Sequence, residues 1–111
     1  MNHVPDDVLD QLDAFGRGLL RGSPPRVEGR LRRDLRLTIL PDDDGRAAEL
    51  RYETEHTRAP PTLRERGSFV TTIVDGVDSH LQSWGVTPPP AYEYAATTGE
   101  THTYVGRLRF R

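Results

Sequence analysis

At 111 residues, with 34% hydrophobic content, 10 glycines and 9 prolines, the chain is expected to fold as a single domain (1–111) around a small core. It contains no cysteine, which excludes thiol nucleophiles, disulfides and thiolate metal sites; all fifteen basic residues are arginine, which excludes a Schiff-base or phosphate-loop lysine. The formal net charge of −2 offers no global attraction to nucleic acid. No apolar run approaches the roughly 18 residues that span a bilayer. The start, Met1-Asn2-His3-Val4-Pro5-Asp6-Asp7, lacks the basic and apolar regions of a secretory leader. A cytoplasmic location is the default expectation.

Pro5 to Arg21 reads as a helix, because Val8, Leu12, Phe15 and Leu19 repeat at i, i+4, i+7 and i+11, with Leu9 and Leu20 beside them. Asp6, Asp7, Asp10 and Asp13 occupy its N-terminal half and Arg17 and Arg21 close it, as the helix dipole favours. Asp13 and Arg17 are spaced for an i, i+4 ion pair. Gly22 suits the C-terminal cap, and Ser23-Pro24-Pro25 ends the helix. Gly16 and Gly18 lower its intrinsic propensity, so the helix is expected to depend on docking.

Arg26 to Thr57 reads as a strand, a turn and a strand. Val27, Gly29, Leu31, Leu35, Leu37 and Ile39 alternate with Glu28, Arg30, Arg32, Asp34, Arg36 and Thr38, and Ala48, Leu50, Tyr52 and Thr54 alternate with Glu49, Arg51, Glu53 and Glu55. Pro41-Asp42-Asp43-Asp44-Gly45 supplies the turn. Setting Leu40 against Gly45 pairs Arg36 with Glu49, Asp34 with Arg51, Arg32 with Glu53 and Arg30 with Glu55. Four opposite-sign cross-strand pairs, each worth about 0.2–1 kcal/mol, favour that register.

Arg58-Ala59-Pro60-Pro61 reads as a linker. Val70, Val74, Val77, Leu81 and Trp84 then form a helical stripe from about Ser68 to Trp84, with Ser68 as N-cap and Gly85 as C-terminal cap. The competing reading is a strand over Phe69 to Val74, which is rich in β-branched residues. The last hairpin turns at Gly99-Glu100-Thr101, with Thr98 opposite His102 and Glu93 opposite Arg107. The expected fold is therefore α+β and two-layered: a four-stranded antiparallel sheet of two hairpins, two helices on one face, in the order α-β-β-α-β-β.

Several motifs fail. Asp42, Asp44 and Glu53 match three positions of a calcium loop, but Arg46 and Ala47 stand where a ligand and a glycine are needed. Asp75, Asp78 and His80 do not share one helical face, and Ser79-His80 lacks a nucleophile elbow. No metal site, catalytic group or cofactor is expected.

The leading reading is a small non-enzymatic interaction module, of the immunity or adaptor type, that contacts an acidic protein through Arg107, Arg109 and Arg111 on one side of the final strand. The alternative is a ligand-binding protein or enzyme with a pocket on the inner sheet face, built from Arg33, Tyr52, His56, Tyr92, Tyr94 and Tyr104. Nucleic-acid binding through the C-terminal arginines ranks third, because the outer face offers no aromatic stacking platform. A protein partner is expected and a membrane is not; self-association stays open.

Overall fold

The computed structural model describes residues 4–22, 25–43, 45–55, 63 and 68–109. Its elements are α1 (Asp6–Leu20), β1 (Val27–Arg32), β2 (Leu35–Pro41), β3 (Ala47–Glu55), α2 (Ser68–Gln82), β4 (Glu93–Thr98) and β5 (Thr101–Arg109). All neighbouring strands are antiparallel, in the spatial order β1-β2-β3-β5-β4. The α+β class holds, but among the described residues the sheet has five strands instead of four and the order is α-β-β-β-α-β-β.

The extra strand arises at Arg33-Asp34, where the segment expected to run straight from Val27 to Ile39 reverses. Arg32 faces Leu35 across a two-residue turn, which pairs an even position with an odd one. Alone, that would send Val27 and Gly29 to the face opposite Leu35 and Leu37. A bulge at Leu31 shifts the register by one, so that Gly29 faces Leu37 and Val27 faces Ile39. The reversal therefore leaves the alternation of odd and even residues intact, and periodicity could not reveal it. Arg30 donates from Nη1 to the Arg33 carbonyl (2.8 Å), and Arg32 pairs with Asp34 (3.1 Å), fixing the turn.

The first register expectation is corrected in the same way. β2 meets β3 with Arg36 opposite Glu53, Leu37 opposite Tyr52 and Pro41 opposite Ala48, four residues from the expected offset. The turn is wider than supposed: the Asp42 amide donates to the Ala47 carbonyl and the Gly45 amide to the Asp42 carbonyl. Because the shift is even, the same side chains still face the core. The four-rung charge ladder could not form, since Arg30 and Arg32 belong to β1, beyond β2.

Helix α2 takes the stripe expected of it, and the strand reading of Phe69 to Val74 is not adopted. Its C-terminus closes with the Gly85 amide on the Gln82 carbonyl and the Val86 amide on the Leu81 carbonyl; Gly85 adopts φ +79°, a conformation that disfavours any Cβ. The side chain of Ser68, expected as N-cap, lies outside the described residues. Helix α1 carries an intrinsically weak glycine because Trp84 lies on it: a Cβ at Gly16 would sit 2.5 Å from the indole ring.

Both helical stripes share one core with the inner sheet face. Val8, Leu12 and Phe15 from α1 and Val70, Val74, Val77 and Leu81 from α2 are buried with Val27, Leu35, Leu37, Ile39, Leu50, Tyr52, Tyr104 and Leu108. Each such large side chain contributes about 1.5–3 kcal/mol when removed from water. Leu63, between β3 and α2, is also buried in this cluster.

The observed register is testable. Glu53→Arg should destabilise the protein modestly, and Arg36→Glu on top should recover about 0.2–1 kcal/mol of coupling. A double-mutant cycle read by urea midpoint should find that coupling with Arg36 and none with Arg32.

Candidate interaction surface

One row of side chains crosses the inner face of the sheet. Leu37, Tyr52, Tyr104 and Tyr94 are consecutive cross-strand neighbours on β2, β3, β5 and β4. Tyr52 and Tyr104 are fully buried, whereas Tyr94 on the last strand is 44% exposed. Tyr92 precedes β4 and packs edge-on against Tyr52, with ring centroids 5.1 Å apart. The loop carrying it can lie this close because position 106 is glycine: a Cβ there would meet Pro89 at 2.7 Å and Tyr92 at 2.9 Å.

The hydroxyls of Tyr92 and Tyr94 are tied locally. The Tyr92 hydroxyl donates to Asp78 of α2 (2.7 Å). Burial, then the neighbouring Tyr52 and Asp78, raises the Tyr92 pKa well above the ordinary tyrosine value. Tyr94 Oη and Thr97 Oγ1 each lie 3.1 Å from Nδ1 of the buried His102.

The residues grouped by sequence into a pocket separate here. Tyr52, Tyr92 and Tyr104 lie in the core with Val70, Val74 and Leu81. Arg33, expected on the inner face, is exposed in the β1–β2 turn. There it lines a dent of about 180 Å³ with Arg30, Asp34, Arg36, Glu53 and Glu55, a mixed-charge setting apart from the tyrosines. His56 lies outside the described residues.

The outer face carries the charges. No described element packs over it, and Glu28, Arg36, Glu49, Arg51, Glu53 and Arg107 spread across its strands. Arg36 lies 3.8 Å from Glu28, and Arg51 pairs with Glu49 two residues away. The exposed Arg36–Glu28 pair stabilises by about 0–1 kcal/mol.

Arg107 and Arg109 are both exposed on this face. The expected partner of Arg107, Glu93, instead faces Val105, because β4 turns at Gly99-Glu100 with Thr98 opposite Thr101 and bulges at Ala95. Arg107 lies across from Glu49 and 4.0 Å from Asp42, with 68% of its side chain exposed. Arg109 lies across from Ala47 and has no ion-pair partner among the described residues. Arg111 lies outside them.

Three contacts were not anticipated. His80 Nε2 lies 2.6 Å from Asp13, joining α2 to α1 in place of the expected Asp13–Arg17 pair. His80 also stacks edge-on against Trp84 one turn later. Its position between Val77 and Trp84, at the margin of the apolar stripe, was the signal available. Gln11 of α1 accepts the Glu28 amide of β1 (3.1 Å), for which the sequence offered no signal. Asp75, Asp78 and His80 do not form a metal cluster; among the described residues no three potential ligands converge.

No family model matches the chain, and no curated protein or solved structure matches it. No described helix is long and apolar enough to cross a membrane.

The Tyr92 environment predicts an alkaline limit. A neutral tyrosine favoured by the fold contributes stability that is present below the unfolded value near 10 and lost as pH rises beyond it. Urea midpoints should therefore fall above about pH 10, and Tyr92→Phe should flatten that fall. At neutral pH the same change should cost about 1–3 kcal/mol through the lost bond to Asp78.

Proposed function

We propose that the protein is a non-enzymatic interaction module that contacts an acidic protein through the outer side of β5. The observation that supports this most is Arg109, an exposed guanidinium with no ion-pair partner among the described residues, next to the weakly held Arg107. Surface arginines of this kind can exchange water for bidentate contacts with carboxylates at modest desolvation cost. The overall charge of −2 argues that attraction is local to this patch and does not come from the whole molecule.

Much of the remaining outer face fits the same reading, since Arg32, Arg36 and Arg51 each have a carboxylate within 4.0 Å. A patch of two cations on one strand steers a partner into one orientation more than it adds raw affinity.

Replacing Arg107 and Arg109 together by Gln should slow association with the native partner several-fold at low ionic strength, leave the thermal midpoint nearly unchanged, and flatten the dependence of the on-rate on salt. Stopped-flow association across a salt series, with the partner recovered by affinity capture from the native host, measures this. Association rates identical to wild type at every salt concentration would remove the patch from the interface.

A further inference from the structure

The two edges of the sheet are treated differently. At β1, the outward Glu28 amide is taken by Gln11 of α1, and Glu28, Arg30 and Arg32 place a charge at every second position. Those are the usual ways of blunting an edge against other strands. At β4, all six residues are exposed, and Tyr94-Ala95-Ala96-Thr97-Thr98 carries neither charge nor proline. Among the described residues β4 pairs with β5 alone, so one side of its backbone has no strand partner among them. Within the described residues its blunting features are the bulge at Ala95 and the terminal charge of Glu93.

We propose that β4 is a docking edge that takes a short extended segment of a partner protein, apolar on the side facing Tyr94 and basic at its ends. The pleat assigns the two sides. Tyr94 and Thr97 lie on the inner face, where Tyr94 is backed by Tyr104 and His102 at centroid distances of 5.5 and 5.9 Å. An incoming strand therefore meets an exposed aromatic ledge on that side, suited to an aromatic or β-branched residue. Glu93, Ala96 and Thr98 lie on the outer face, and Glu100 follows in the turn. Acids thus bracket an uncharged centre, and a strand with Lys or Arg at its ends complements them.

The same charges argue against a second copy as the occupant. A twofold antiparallel pairing of β4 with itself would bring Glu93 of one copy toward Glu100 of the other at both ends, and would set two bulges against each other. The docking edge does not depend on the arginine patch: it uses the outward side of the β4 backbone, whereas Arg107 and Arg109 lie beyond the β4-paired part of β5.

The test uses the full chain and the capped peptide acetyl-Lys-Val-Thr-Phe-Thr-Val-Lys-amide, read by amide hydrogen exchange. The expected result is peptide-dependent protection confined to 93–98. The same peptide with Glu at both ends should bind about tenfold more weakly, the scale of a favourable cross-strand charge pair turned repulsive at each end. N-methylation at the central Thr-Phe-Thr should abolish binding. Glu93→Arg should bring the two charged peptides to equal affinity or invert their order; should that variant fail to fold, the wild-type arms decide alone. Protection at β1, or none at millimolar peptide, overturns the proposal, as does equal affinity for the Lys- and Glu-ended peptides or retained binding after N-methylation. Protection of β4 that grows with protein concentration in the absence of peptide overturns it in favour of a second copy.

Discussion

The fold depends on the contact between Tyr52 and Tyr104 at the centre of the sheet. These residues face each other across β3 and β5, the two nine-residue strands, and both are fully buried. Tyr92 closes over Tyr52 edge-on, and that approach needs the bare backbone of Gly106 beneath Pro89 and Tyr92. Two phenol rings at the middle of a small core fix its thickness, so the apolar stripes of α1 and α2 must sit where they fill the space around them. The buried inner face leaves the outer face to solvate itself, which it does with alternating arginine and glutamate. The chain order follows as well. β5 must lie beside β3 to bring the tyrosines together, and this pushes β4 to the edge although it precedes β5 in sequence.

How much of this was legible depends on parity. The inward set Val27, Leu35, Leu37, Ile39, Leu50 and Tyr52 could be read from alternation alone and is buried in the structure. The strand count could not. Arg33-Asp34 has no glycine or proline to announce a turn, and the bulge at Leu31 repairs the alternation that the turn would otherwise break. The opposite charges facing each other in the first expected register mislead for the same hidden reason: Arg30 and Arg32 lie on β1 and do not border β3. Helix α2 was legible because Val70, Val74, Val77 and Leu81 keep a helical period through a stretch whose β-branched composition favours a strand; the buried stripe outweighs local propensity.

The surface was less legible than the core. The exposed arginines of β5 followed from alternation, but the acids near them did not, because Asp42 and Glu49 reach Arg107 through a register that the sequence leaves open. The tyrosines looked like pocket walls because their polar ends suggested ligand contacts. In the fold the Tyr92 hydroxyl is used by Asp78 of α2 and the Tyr94 hydroxyl by His102, so these groups serve to anchor a loop and an edge strand. Gln11 was unremarkable in the sequence, yet it joins α1 to the backbone of β1 and caps an edge amide there, whereas β4 has no such cap among the described residues.

That asymmetry is the central claim, and site-resolved hydrogen exchange on the free, dilute protein tests it most directly. The Glu28 amide, held by Gln11, should exchange slowly, at a rate set by opening of the fold, while the outward amides of Tyr94 to Thr98 should exchange near the rate of an unprotected chain. Gln11→Ala should accelerate Glu28 without altering β4. Equal protection along β1 and β4 in the wild-type protein would contradict the account.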